Sequence, residues 1–430
     1  MTNGHLFVLA YFTFLTTGIL TMAASMNQLL AHRHVLLLQG KMGGFFSRFA
    51  TFLRAQGIQV SKVNFNAGDA FFYRQAGAHD YTGTLAQFSP WLRAFVEAQG
   101  IDAIVCFGDC RPHHAQAARL SEQLGVSFFV FEEGYLRPDY ITLQEHGING
   151  YSRLNTAEIK ALDKANDHPL YTHNRFYKLS IAAIVYYILT WLYKSRYPHY
   201  SHYRGMTAWQ EAIAWLKAPW RKLRDYFPDK QLQQHLITQA DNGYFLVSLQ
   251  VHNDSQITHH SGYCDVVQFI DETISSFASH ANASDLLVFK HHPLDRGHRD
   301  YRELVASLAT RYGILPRVFY GCDMHLPTLM KHSRGMVTIN STTGLQSVYH
   351  KKPTKVMGRA IYDTPKLTDP KHLAKFWQQP QSPNNEFYLR FREYLIEQTQ
   401  LNGSFYGKSP WMSKYLREQA DPASASDVVK

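Results

Sequence analysis

Cysteine is scarce in this chain of 430 residues, which holds only Cys106, Cys110, Cys264 and Cys322. Three of them sit in or beside apolar segments, so buried free thiols in a reducing compartment are expected in place of a disulfide framework. Their spacing makes no zinc finger. The chain also lacks a compact block of Lys and Arg and the paired aromatics of an RNA-recognition motif, which leaves nucleic acid without support as a partner. Acidic residues are in deficit, with 34 Asp and Glu against 44 Lys and Arg, a net charge of +10 and a pI near 9.2. That balance suits an anionic partner, a membrane surface or an acidic substrate. No internal sequence repeat is present. Apolar residues are plentiful, at 45% of the chain. That is enough for full cores, and the length suits two domains of roughly 150 to 200 residues.

Residues 6–26 form a nearly uncharged run, long enough for a membrane span or a signal segment. No Lys or Arg precedes it, and Thr13, Thr16, Thr17 and Gly18 dilute it. Two readings of residues 1–30 stand ahead of a cleaved leader: an amino-terminal anchor, or a start placed too early, with translation beginning at Met22 or Met26. Residues 31–170 then alternate buried strands with helices. Val35-Leu36-Leu37-Leu38 leads into Gln39-Gly40-Lys41-Met42-Gly43-Gly44 and a helix over 45–56. This is not a G-x-G-x-x-G fingerprint, but Gly43 and Gly44 would let a ligand approach the backbone. Asn66 and Asp69 follow the next strand. Ala103-Ile104-Val105-Cys106-Phe107 ends in Gly108-Asp109-Cys110-Arg111-Pro112-His113-His114, and a strand over 126–131 ends in Glu132-Glu133-Gly134-Tyr135-Leu136-Arg137-Pro138. Polar residues after each strand describe a doubly wound sheet.

Composition shifts in the segment 171–238. Residues 171–230 carry ten Lys and Arg against three Asp and Glu, with many Tyr and Trp. The apolar run over 181–193 has thirteen residues, too few to span a bilayer, so it is either a core helix or one lying in the membrane interface. Trp215 and Trp220 stand beside Lys217, Arg221, Lys222 and Arg224, the mixture a headgroup-level surface uses. An inter-domain helical hairpin with a solvated face is the other reading.

A second α/β pattern occupies 239–370, and its centre is the stretch 286–347. Leu286-Leu287-Val288-Phe289 stops at Lys290-His291-His292-Pro293, and Gly335-Met336-Val337-Thr338-Ile339 stops at Asn340-Ser341-Thr342-Thr343-Gly344. Ligands collect at the carboxyl ends of such strands. Lys290 and His292 should therefore point at a ligand, with Pro293 fixing the direction of the backbone. The hydroxyl-rich turn should offer backbone N–H groups at a helix start, chemistry suited to a phosphate. The tail, 371–430, reads as aromatic-rich helices with a frayed end.

Two α/β halves with anion-binding loops facing one another resemble a GT-B glycosyltransferase, and particular strings resemble the KpsS/LipB capsule polysaccharide family over roughly residues 34–400. They are Asn64-Phe65-Asn66-Ala67-Gly68-Asp69, the Gly108 and Glu132 strings above, Ser248-Leu249-Gln250 with Gln256-Ile257, Lys290-His291-His292-Pro293, and Asn340-Ser341-Thr342-Thr343-Gly344. The resemblance implies a cytoplasmic β-Kdo transferase peripheral to the inner membrane. Such an enzyme places the first Kdo from CMP-Kdo on a lyso-phosphatidylglycerol acceptor in Gram-negative capsule synthesis, alongside other capsule synthesis and export proteins. No cofactor is implied beyond the donor, and no metal, since a CMP-activated sugar has no diphosphate to chelate. In related enzymes an HP motif and a Ser/Thr turn hold the CMP phosphate, which map onto His292-Pro293 and Ser341-Thr342. Retention requires a carboxylate nucleophile or its equivalent. Where related transferases often carry Glu-Asp-Gly, this chain has Glu132-Glu133-Gly134.

These readings give Glu133 as nucleophile, with Glu132 turned the other way as loop holder or acid/base. Lys290, His292, Asn340, Ser341, Thr342 and Gln250 are the donor-binding candidates. Gly43, Gly44, Asn66, Asp69, Asp109, Arg111, His114 and Arg137 are further cleft residues. Two other functions fit the same strings: a non-catalytic scaffold that docks lipid and recruits export machinery, and a transferase for another CMP-activated acid such as sialic acid.

Overall fold

The computed structural model describes residues 22–159, 169–173, 176–202, 205 and 208–413. Most of the apolar run 6–26 lies outside them. Its described end is not membrane-like: helix Ala24–Leu30 buries Met26 and Leu29 in the core of the first domain.

That domain is built on strands β1 (His34–Leu37), β2 (Gln59–Asn64), β3 (Ala78–Asp80), β4 (Ala103–Phe107), β5 (Ser127–Glu133) and β6 (Tyr140–Glu145). The second domain holds β7 (Tyr244–Ser248), β8 (Leu286–Lys290), β9 (Val318–Gly321), β10 (Gly335–Thr338) and β11 (Thr354–Val356). Their apolar runs are what a parallel sheet covered on both faces requires, and β1, β4, β7 and β10 are buried along their whole length. The second sheet runs β11-β10-β7-β8-β9, all parallel. Its strand order reverses between β7 and β10, the crevice where such sheets take ligands. Two doubly wound domains in series make the expected GT-B-like α/β architecture.

The tail differs from the sequence reading. After helix Asn385–Thr399 the chain returns to the first domain as β12 (Gln400–Asn402), antiparallel to β6, and completes the order β12-β6-β5-β4-β1-β2-β3. Phe405, Trp411 and Met412 then enter the first core, where Trp411 packs edge-on against Phe52 at 5.0 Å. Short aromatic segments without clear periodicity read as helix, but here they are stabilised by tertiary burial.

The basic aromatic segment is not one hairpin packed on itself. Helix Phe176–Leu192 lies on the first domain, held by Tyr186. Its hydroxyl accepts from Asn66 Nδ2 (2.6 Å) and Gln39 Nε2 (2.8 Å) and donates to Asp69 Oδ1 (3.1 Å). Gly68 permits this, since a Cβ there would fall 2.5 Å from the Tyr186 ring. Helix Ala208–Thr238 belongs to the second domain, where Asp229 accepts from the backbone N–H groups of Cys322 (2.7 Å) and Asp323 (2.6 Å). Each helix leaves an apolar stripe exposed at helical spacing: Ile181, Ile184, Ile188 and Trp191 on one, Trp209, Leu216, Trp220, Leu223 and Phe227 on the other. Among the described residues no helix is long and apolar enough to cross a membrane.

The tail's burial gives a test. Trp411→Ala should destabilise the protein by about 3–5 kcal/mol, as large-to-small changes in packed aromatic cores do. Urea unfolding followed by fluorescence measures it, and a loss below about 1 kcal/mol would mean that the tail is not part of the core.

Candidate active site

Strand β5 runs two residues further than its apolar pattern, because Glu132 and Glu133 pair with Thr142 and Ile141 of β6. Both glutamates are therefore fixed by the sheet at its edge on the cleft. Glu133 Oε1 meets Lys41 Nζ at 2.7 Å, and Lys41 also lies over the Phe107 ring at 4.6 Å. Burial works to raise the Glu133 pKa, but Lys41 and Arg137 outweigh it and hold the carboxyl below its ordinary range. Glu132 behaves in the opposite way. Burial, only partly offset by Lys41, pushes it up to about 7. Its Oε1 accepts from the Glu133 backbone N–H at 2.9 Å, and a Cβ on Gly108 would lie 3.7 Å from Oε2. Glu132 is thus not turned out of the site. It shares the field of Lys41 with its neighbour and is raised further by Glu133 and Asp109, so the two adjacent carboxyls are pushed apart in pKa.

Around them the loop after β4 is braced from behind. Asp109 is buried and accepts from the Ile148 N–H (2.9 Å), and burial raises its pKa. Arg111 Nη1 donates to Gln39 Oε1 (2.9 Å) and the Gly40 carbonyl (3.2 Å), tying this loop to the glycine-rich turn. His114, fully buried with its pKa driven down by burial, sets Nδ1 2.6 Å from the Gly108 carbonyl. In the turn itself Gly43 adopts φ 122°, a conformation open to glycine, and Gly44 precedes helix Phe45–Ala55. Asn66 and Asp69 are placed inside the domain, not on an open cleft wall. Asn66 caps helix Ala67–Phe72 by accepting from Asp69 N, and both hold Tyr186.

The second wall gathers at the switch point. The Asn340 N–H donates to Gln250 Oε1 (3.2 Å), and Asn340 Nδ2 donates to the Gln256 carbonyl (2.8 Å). Its Oδ1 is a buried acceptor with no partner in the protein, a group that a ligand donor would relieve of its desolvation cost. Ser341 caps helix Thr342–Tyr349 with its own hydroxyl on Thr343 N (3.2 Å), and its carbonyl accepts from Tyr362. Thr342 opens that helix, half-buried.

Lys290 corrects the sequence reading. It is 4% exposed, and Nζ donates to the carbonyls of Cys322 (2.6 Å) and His291 (2.9 Å). Burial lowers its pKa. As the last residue of β8 it faces the interior side, where its ammonium bonds the backbone instead of aiming at a ligand. His292, two residues on, is half-buried at the start of the 3₁₀ turn Pro293–Asp295. Its Nδ1 accepts from Leu294 N at 3.2 Å, so the ring proton resides on Nε2 as a donor. Burial, then Lys290 and Arg137, bring its pKa down to about 4.

Arg137 lowers the pKa of both Glu133 in the first domain and His292 in the second, so its guanidinium lies near both walls. Two contacts missed in the sequence hold the walls together. Tyr135 and Leu136 share an apolar cluster with Leu345, Val348 and Tyr362. His260 Nε2 lies 3.7 Å from Cys110 Sγ, which itself is 3.3 Å from Asp109 Oδ1. Among the described residues, Asp109, Cys110 and His260 are the one cluster with three metal-capable atoms close together, and here those atoms bond one another. All four cysteines are free thiols: Cys106 and Cys322 are buried, Cys110 is half-buried and Cys264 is exposed.

The sequence matches the profile of a family described as capsule polysaccharide biosynthesis protein over residues 102–406. The chain belongs to that family. The capsule polysaccharide export protein KpsS of Escherichia coli is 40% identical over 385 residues, covering 89% of this chain and 99% of that one. LipB of Neisseria meningitidis serogroup A, a capsule polysaccharide modification protein, is 38% identical over 408 residues, covering 93% and 97%. Among solved structures, KpsC of Thermosulfurimonas dismutans, a beta Kdo 2,7 transferase, aligns over 82% of this chain and 88% of that one, with a TM-score of 0.40 and 13% identity.

Lys41 is the site residue of this family member that sequence reasoning passed over. A lysine inside the glycine-rich turn after β1 was the available signal. For His260 no local signal exists, because only the meeting of the domains brings it to Cys110.

The raised pKa of Glu132 has a measurable consequence. Between its ordinary 4.5 and about 7 the folded chain keeps a proton that the unfolded chain has lost, so this group's contribution to stability falls as pH rises through that window. Melting temperatures of wild type and Glu132→Gln, taken across it, should draw together or cross in the variant's favour. A pH-independent difference would remove the shift.

Proposed function

We propose that this capsule biosynthesis protein is a retaining β-Kdo transferase, moving Kdo from CMP-Kdo to a lyso-phosphatidylglycerol acceptor at the cytoplasmic face of the inner membrane. The observation that carries the reading is the pair of adjacent glutamates held on the edge of β5, with Lys41 bonded to Glu133 and the two carboxyls shifted in opposite directions. In the first step Glu133 forms a bond to the ketosidic carbon as the bond to the phosphate oxygen breaks, and CMP leaves with the electron pair. In the second, the acceptor hydroxyl attacks the same carbon, Glu133 is released as carboxylate, and Glu132 takes the hydroxyl proton. A base with a pKa near the working pH is suited to that transfer. Lys41 keeps Glu133 ionised and ready to stabilise an oxocarbenium-like state. The Nε2–H of His292 and the free Oδ1 of Asn340 supply a donor and an acceptor for the nucleotide.

Glu133→Gln should abolish transfer while CMP still binds, and Glu132→Gln should keep partial activity. Enzyme given donor alone should carry a Kdo adduct on Glu133 by mass spectrometry. Full activity in Glu133→Gln would sink the assignment. His292→Ala should weaken CMP binding by about tenfold or more, the worth of one charge-assisted hydrogen bond. Lys290→Ala should lower stability more than it alters the contact with phosphate.

The membrane half of the proposal rests on the two exposed apolar stripes beside Lys217, Lys222 and Arg224. The protein should sediment with anionic vesicles, less so as salt rises, and Trp220→Ser with Leu223→Ser should weaken it at every salt concentration. Equal sedimentation of that double variant would place the contact elsewhere.

A further inference from the structure

A cavity of about 410 Å³ lies where helix Ala208–Thr238 crosses the loops after β7 and β8, lined by Gln210, Lys217, His252, Gly297, His298 and Arg299 among others. Its size falls in the range of small-molecule sites, roughly 300–1,000 Å³. The walls are firmly built. The helix backbone rests directly on Gly297, where a Cβ would come within 2.1 Å of the Ala214 carbonyl oxygen. Arg221 Nη1 donates to the carbonyls of Arg296 (2.6 Å) and Arg299 (3.0 Å), clamping loop to helix. Asp295, fully buried, accepts from the His252 backbone N–H (3.2 Å) and sits 2.5 Å from its Nδ1. That leaves Nε2 as the ring atom to meet a ligand. Glu211 stands 3.8 Å from His298 Nε2. The two carboxylates that face the cavity region are thus engaged by its imidazoles, while Lys217 and Arg299 reach in from exposed positions.

The same helical turn that gives Ala214 and Lys217 to the cavity turns Trp215 and Leu216 outward, exposed, on the apolar side of the helix. The loop that carries His298 and Arg299 begins at His292, on the cleft. One mouth therefore combines cations, imidazoles and apolar surface, and connects through a single loop to the proposed reacting centre.

We propose that this cavity binds the phosphodiester of a single-chain glycerophospholipid, with the acyl chain lying along Trp215 and Leu216. The proposal rests on the transferase reading above, for which it locates the acceptor. Lys217 and Arg299 neutralise the phosphate, His252 donates to it through Nε2, and the helix serves as the ledge between headgroup and membrane.

The test uses the full chain, with lyso-phosphatidylglycerol, glycerophosphoglycerol and inorganic phosphate as separate probes. Wild type should bind the lysolipid more tightly than either chain-free probe. Lys217→Ala combined with Arg299→Ala should weaken lysolipid binding by at least about tenfold, since two charged donors are lost, and leave CMP affinity as it was. Lys230→Ala, on the same helix outside the cavity, should change lysolipid binding little. In turnover the double variant should raise KM for the acceptor with kcat nearly kept. Unchanged lysolipid affinity in the double variant, or an equal loss in Lys230→Ala, overturns the proposal. Equal affinity for glycerophosphoglycerol overturns its lipid part in favour of a free phosphate ester. Because binding is read without donor, a chain that holds lysolipid here but transfers no Kdo refutes the transferase reading alone. One that transfers Kdo with unaltered acceptor affinity in the double variant refutes the cavity alone.

Discussion

A run of parallel strands covered by helices on both faces can show polar side chains to water only where its strands end, and the candidate cleft lies where two such runs end, one in each sheet. β1, β4 and β5 of the first domain and β7, β8 and β10 of the second all finish in polar loops. The shared apolar cluster of Tyr135, Leu136, Leu345 and Tyr362 then turns those loops toward each other. Had either sheet been antiparallel throughout, half of its strands would deliver their loops to the opposite edge.

Facing strand ends creates an electrostatic problem, since the edge of β5 carries two consecutive glutamates into a partly desolvated cleft. Lys41, joined by Arg137 at Glu133 alone, resolves it unequally. Lys41 bonds Glu133 directly at 2.7 Å and reaches Glu132 only through space. The first carboxyl is therefore kept charged and the second is left near neutrality. Asymmetry of that kind gives two neighbouring carboxyls different protonation without any difference in residue type.

The sequence was readable wherever burial alone decides structure. The runs at 35–38, 103–107 and 286–289 could be little else than interior strands, and the loops that follow them are where the cleft formed. Direction was less readable. Lys290 and His292 share one parity on an extended backbone, yet Lys290 still belongs to β8 and bonds inward, while His292 has left the strand for a 3₁₀ turn. Asn66 and Asp69 looked like loop chemistry and proved to be the socket for Tyr186, a partner more than a hundred residues away. The return of β12 and the Cys110–His260 contact depend on packing between distant segments, for which no local pattern exists.

The aromatic segment shows how the two domains and the exposed apolar surface are joined. Tyr186 fixes one stripe to the first domain through a fully satisfied buried hydroxyl, and Asp229 fixes the other to the second through two backbone N–H groups. Neither attachment tolerates sliding, because each buried polar group would lose its partners at a cost of about 1–3 kcal/mol. Each stripe therefore keeps a fixed place on its own domain, so the distance between the two would follow any change in the angle between the domains. A surface that binds both stripes at once must favour one angle over others, to the extent that its affinity differs between them.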